Sequence, residues 1–518
     1  MKSLKGVSKV KKLVVLLFVC SVILGFSAPN YDSVIRIGSD QNPTTMDPAM
    51  YQDLASSQVM RNVFETLVTY DSEVKEIKPL LAESWEVSSD LKEWTFHLRK
   101  GVHFQEGKFQ DGREVTAEDV KYSFDREIAI SPMVRLYMVD RVEVVDTYTV
   151  KIILKYPYAP FLTVLTDIGA AIVPKEECEG WGEQFTLHPV GSGPFIMTEW
   201  VKDDHMTFVR NEDYWGEKPY IKRAIYKFIP DKSVLSLALL SGEVDITSDV
   251  LDQDVPKLES NPNVEARMVG GCNVYAVYMN SMKGPTADKR VREAIFRAID
   301  VEQLVKVIFP NGTAEAAYGP IPTGSWAYNP KVKDFYANYN PNRAKELLKE
   351  AGYDSLKLTI YTPEDPNRRK AAVIIQSMLK KIGIELEVKS LEWGAFTSVT
   401  SQGEADMYTI GWTWYPDPEF FIFYMFHSSR KGTYGNGGGY NNPEVDKYIE
   451  LGESSVDRNQ RIEYYRKAEE LIMKDLCYFP MWHKMVVMGV NKKVRGFEVS
   501  PDMTIRLYAP GTNVWVEE

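Results

Sequence analysis

The segment from Leu356 to Ile410 constrains the fold most, because strand and helix signals alternate along it at short intervals. Leu356 to Tyr361 reads as a strand, Asn367 to Lys381 as a helix, and Ile384 to Val388 as a second strand. Gly383 stands where a left-handed cap would end the helix. A strand that returns through a helix of this length runs parallel to the first, so the segment predicts a parallel sheet covered by helices. The same unit occurs upstream. Ala224 to Ile229 is a strand, a helix starts near Asp231 and ends at Gly242, and Val244 to Ile246 is the returning strand. With Val34 to Gly38 as a further strand, the chain reads as α/β with two lobes. Between these regions Trp94 to Leu98 alternates as a strand does, Thr116 to Asp119 caps a helix, and Val142 to Val145 pairs with Thr149 to Leu154 as a hairpin. That part is a small α+β insert.

The alternation in the second lobe runs through Ala405 to Ile410, a short buried strand, into Gly411-Trp412-Thr413-Trp414-Tyr415-Pro416-Asp417-Pro418. Eight of the seventeen residues from Gly411 to His427 are aromatic, against 12% for the whole chain, so this is a local concentration. Pro416 and Pro418 fix φ and hold the residues before them extended, which delays the next helix until after them. A loop at the carboxyl end of a strand is where open α/β sheets bind ligands. Trp412, Trp414 and Tyr415 offer flat surface with polar handles there, as pocket wall or as core. Phe420, Phe421, Phe423 and Phe426 fit the core face of the following segment. Asp417 is a turn residue between two prolines or a carboxylate aimed at a ligand.

The amino terminus is a separate object. Lys2, Lys5, Lys9, Lys11 and Lys12 precede an uncharged run from Leu13 to Phe26, short for a membrane span and followed by small residues. Residues 1–27 therefore read as a secretory signal peptide. Its removal takes five lysines and changes the formal charge from −11 to −16, which argues against nucleic acid or anionic membrane as a partner. Export leaves Cys178, Cys272 and Cys477, an odd number at wide spacing, so a disulfide framework is excluded while one bridge is allowed.

Six histidines are scattered without an i, i+4 pair, and no HExxH, GxSxG, Walker or dinucleotide glycine motif occurs. Neither a metal nor a cofactor is expected. A secreted hydrolase, the reading from another class, lacks its nucleophile and acid/base groups.

Leu80-Leu81-Ala82-Glu83-Ser84-Trp85, Phe109-Gln110-Asp111-Gly112, Gly193-Pro194-Phe195, Ser241-Gly242-Glu243-Val244-Asp245-Ile246 and Gly439-Tyr440-Asn441-Asn442-Pro443 form a specific set. With Arg290 to Ile295 and Tyr214-Trp215, they make the chain resemble the family 5 extracellular solute-binding proteins, the oligopeptide- and dipeptide-binding class that serves ABC importers. The resemblance implies a two-lobed periplasmic-binding-protein clamp, type II-like, with an additional small α+β domain. It implies a periplasmic or extracytoplasmic monomer that delivers a small solute to ABC permease subunits. The solute is a short peptide or, alternatively, a di- or oligosaccharide. The first lobe would be discontinuous, taking residues 28–60, 189–274 and 479–518. The small domain would take 61–188 and the second lobe 275–478, with chain crossings near Asn273 and Phe479. Tyr51, Asn273 and Tyr275 join Trp412, Trp414, Tyr415 and Asp417 as the expected ligand-binding set. Many peptide-binding members carry Gly-Trp-x-x-Asp before Tyr-Pro-Asp-Pro, and that aspartate pairs with a peptide ammonium. Here the loop is one residue shorter, so that carboxylate is missing or displaced to Asp417.

Overall fold

A single 14-residue strand, Tyr478–Asn491, holds the two halves of the molecule together. The computed structural model describes residues 31–517, so the expected signal segment lies outside the described residues. Tyr478–Asn491 is apolar on both faces, as a central strand requires, and inside it burial lapses only at Lys484 and Met485. Its first part pairs antiparallel with Asn273–Met279 and Ala314–Ala316. Its second part pairs antiparallel with Val264–Gly270, and Val490 sits opposite Ile246. The half-exposed Lys484 and Met485 mark the place where the strand passes from one lobe to the other.

On one side the sheet continues from Asn273–Met279 through Met407–Thr413 and Leu356–Pro363 to Ile384–Leu391. On the other it continues from Ile246–Thr247 through Ser33–Ser39 and Ile221–Phe228 to two antiparallel edge strands, His205–Arg210 and Phe195–Val201. Leu356–Pro363 runs parallel to both its neighbours, as does Ser33–Ser39. The crossover helices are Pro366–Lys380, capped by Asp365, and Lys232–Ser241, capped by Asp231. Gly242 ends the latter in the left-handed region at φ 77°, where a side chain would be strained.

Each lobe has its own core. Ile35, Phe208, Tyr226 and Met488 belong to the first, and Val277, Ile295, Leu304 and Ile375 to the second. Phe479, Met481 and Trp482 pack in the second core, so the chain crosses after Trp482 rather than at Phe479. A strand buried on both faces carries no periodicity change to show where it leaves a sheet. The small insert is a four-stranded antiparallel sheet, Ala82–Val87, Glu93–Leu98, Thr149–Leu154 and Val139–Asp146, covered by the helix Ala117–Ile130. Phe96 and Phe124 lie fully buried between sheet and helix, worth roughly 2–3 kcal/mol each relative to exposure. Val63 and Phe64 before this insert, and Cys178 and Phe185 after it, pack in the first lobe's core instead. Cys178, Cys272 and Cys477 are free thiols, each buried.

Candidate functional site

The aromatic loop leaves its strand where the lobes join. Met407–Thr413 pairs with Asn273–Met279, Gly411 facing Tyr275 and Trp412 facing Val274. The Trp414 amide then donates to the Cys272 carbonyl at 3.2 Å. Pro416 and Pro418 hold off the next helix, Glu419–Phe426, as their fixed φ demands. Phe420, Phe421 and Phe426 are buried and Phe423 is half-buried. Trp412 is half-buried, its indole N–H donating to the Phe420 carbonyl at 2.9 Å. Its ring stacks between Trp414, at 5.7 Å, and Tyr434, at 6.0 Å. Trp414 stacks on Phe420 and Tyr424 yet stays 37% exposed. Trp412 is therefore the layer behind, and Trp414 presents the open face.

That face lines a cavity of about 270 Å³ whose walls include Tyr51, Arg61, Trp414, Tyr415, Asp502 and Arg506. At its edge Asp167 accepts from the Tyr51 hydroxyl at 2.5 Å, the Tyr415 hydroxyl at 2.6 Å and the Gly169 amide at 2.8 Å. Arg135 completes the group, its Nε 3.0 Å from the carboxylate and its guanidinium 3.9 Å above the Tyr51 ring. Burial and the neighbouring carboxylate push both tyrosine hydroxyls well above their ordinary range, so both remain donors. Tyr51 comes from the segment before the insert, Asp167 from the insert's far end, and Tyr415 from the second lobe. Three parts of the chain thus converge on one carboxylate. Asp502 is likewise committed. Burial would raise it, but the Arg506 guanidinium, with bonds of 3.0 and 2.6 Å, more than reverses this and holds it well below the usual range. Asp53 caps the helix Leu54–Met60, accepting from the Ser56 amide at 2.7 Å.

Three expected site residues serve other ends. Asp417 is fully buried and accepts two bonds of 2.8 Å from Arg461, with Thr163 Oγ1 at 3.3 Å. A carboxylate already paired this way is not available to a ligand ammonium, so the displacement of that function to Asp417 is corrected. Asn273 is a brace at the crossing between lobes. Its Nδ2 donates to the Lys484 carbonyl at 2.8 Å, and its Oδ1 accepts from the Lys484 amide at 2.7 Å. His483 donates from Nδ1 to the Asn273 carbonyl at 3.0 Å. Asn273 therefore uses its side-chain nitrogen and oxygen alike to tie the two strands together at the crossing. Tyr275 stacks on Trp482 at 5.3 Å and lies apart from the Trp414 cavity. It covers Gly411, where an added Cβ would come within 2.7 Å of the tyrosine ring and 3.5 Å of Arg368 Nη1.

Sequence reasoning missed Asp167 and Arg135 at the site, and Arg461 as the partner of Asp417. Asp167 and Tyr415 are separated by 248 residues, and Arg461 follows Asp417 by 44, so no local spacing connects either pair.

The site's lobes, loop and insert can be set beside known proteins. A profile of the bacterial extracellular solute-binding proteins, family 5 (middle), matches residues 76–433. The chain belongs to this family. It is 30% identical to the dipeptide-binding protein of Escherichia coli, over 85% of this chain and 87% of that one. Its fold superposes on HbpA2 from Haemophilus parasuis with a TM-score of 0.88 at 27% identity, covering 94% of this chain and all of that one. A periplasmic binding protein of Helicobacter pylori associated with an ABC transporter, solved with the peptide STSA, gives a TM-score of 0.75 at 32% identity, covering 95% and 99% of the two chains. The architecture is the two-lobed clamp of this family, and family members act outside the cytoplasm.

Proposed function

We propose that this chain captures a short peptide between its lobes and delivers it, chemically unchanged, to an ABC permease. The carrying observation is the aromatic-walled cavity where Trp414 and Tyr415 of one lobe face Tyr51 of the other around Asp167. Tyr51, Trp414 and Tyr415 contact the solute, with Trp412 holding Trp414 in place from behind. Lobes joined by the shared strand, its brace and the short crossing between Gly270 and Asn273 are suited to hinge closure. The naming of the Escherichia coli relative for dipeptides, and the peptide bound in the Helicobacter pylori structure, support the peptide class. Residues 1–27 direct export, and the receptor works as a monomer. A second reading, an oligosaccharide, is favoured by the open indole face of Trp414, flat enough to stack on a sugar ring. Calorimetric titration with di- to tetrapeptides and with disaccharides separates the two. Binding of peptides at micromolar or lower Kd supports the proposal, and saccharide binding without any peptide heat overturns it.

A further inference from the structure

Asp252 opens the short helical turn Asp252–Asp254. Val250 before it and Val255 after it pack with Val244, Leu258 and Val487 in a satellite core of the first lobe. Asn311, Gly312 and Thr313 belong to the second lobe, in the loop between the helix Val301–Ile308 and the strand Ala314–Ala316. Phe309 and Ala314, on either side of them, lie in the second core. The two segments meet on one carboxylate. The Asn311 amide donates to its two oxygens at 3.2 and 3.3 Å. Asn311 Nδ2 donates to Oδ2 at 3.0 Å and to the Asp252 carbonyl at 2.9 Å. Thr313 Oγ1 donates to Oδ1 at 2.7 Å, and the Thr313 amide reaches the same oxygen at 3.4 Å. Gly312 between them has φ 82°, a conformation that turns the amides on both sides toward the carboxylate and that a side chain would strain. Four donors of the second lobe thus gather on one first-lobe residue, and donors to a charged acceptor make the stronger bonds. The clasp is also tied to the shared strand. The Met485 amide donates to the Thr313 carbonyl at 2.9 Å, and Ala314 sits opposite Lys484, where that strand passes between lobes. The clasp therefore spans the junction at the pivot, between residues 59 apart in sequence. Asp252, Asn311 and Thr313 stand outside the wall of the Trp414 cavity.

We infer that Asp252 is a positioning residue for solute capture. Its clasp on Asn311-Gly312-Thr313 pins the first lobe to the second at the pivot and so fixes the path along which the lobes close. This rests on the capture reading above, and it sets affinity through lobe geometry, without touching the solute. The experiment compares the parent with Asn311→Asp, which places a second carboxylate against Asp252. A second variant exchanges the pair, Asp252→Asn with Asn311→Asp, and returns one amide and one carboxylate to the contact. Small-angle scattering of the free proteins reads the spread of the lobes, and calorimetric titration with alanine di-, tri- and tetrapeptides reads capture. Asn311→Asp should enlarge the radius of gyration and weaken peptide binding on the order of tenfold, by faster dissociation. The exchanged pair should return both readings toward the parent, which general damage to the loop would not allow. Thr313→Val, which removes one donor and adds no charge, should shift both readings the same way by less, and it decides the matter if Asn311→Asp does not fold. A parental value of either reading in Asn311→Asp overturns the inference, as does a defect that the exchanged pair leaves unrepaired. If no peptide of the series binds the parent, the peptide reading fails, and scattering alone decides the pin.

Discussion

At the scale of single residues, the site is defined as much by groups already spent as by groups on offer. Asp417 is the clearest case, a carboxylate inside the aromatic loop whose oxygens both belong to Arg461. Asp417→Asn should leave the arginine charge buried and unpaired, costing about 3–5 kcal/mol of stability. Replacing both partners with apolar residues, Asp417→Leu with Arg461→Met, should recover most of that loss, read as melting temperature. Trp414 behaves oppositely. With a third of its surface open, Trp414→Ala should cost the free protein less than the 3–5 kcal/mol typical of a core tryptophan, while solute affinity falls roughly tenfold to a hundredfold. A large drop in melting temperature with affinity intact would assign Trp414 to packing.

At the scale of elements, the strand Tyr478–Asn491 and its brace decide how the lobes meet. His483 lies buried there, and burial pushes its imidazole down to about 4 despite the bond to the Asn273 carbonyl. A depressed folded pKa means that the unfolded chain takes the proton first. The contribution is therefore full above pH 6.5 and is lost as pH falls toward 4, by about 3 kcal/mol in all. Denaturant unfolding of the parent and of His483→Gln across that window should show a shallower slope in the variant. The elements themselves were largely legible in the sequence. A cap at Asp231 with Gly242, Gly383, and the prolines Pro416 and Pro418 marked helix bounds, and the strand–helix–strand spacing predicted both sets of parallel strands. The crossing after Trp482 was not legible, because a strand buried on both faces looks the same on either side of a junction. The site was legible only in part. A cluster such as Trp412-Thr413-Trp414-Tyr415 is visible in one stretch, whereas Asp167 reaches Tyr51 and Tyr415 only through the packing of three chain segments.

At the scale of the molecule, two lobes share one continuous strand, and a cavity opens between them where aromatic and tyrosyl groups gather around Asp167. The insert contributes Asp167 and Thr163 to that junction, so it is part of the clamp rather than an appendage. Such a design encloses a solute between lobes, and the identity of the solute is what the account most exposes to test. The most direct measurement is a mass spectrum of the small molecules released when protein purified under native conditions is unfolded. Masses and fragments of short peptides are the predicted result. A ladder of hexose-spaced masses, with no peptide fragments, would contradict it.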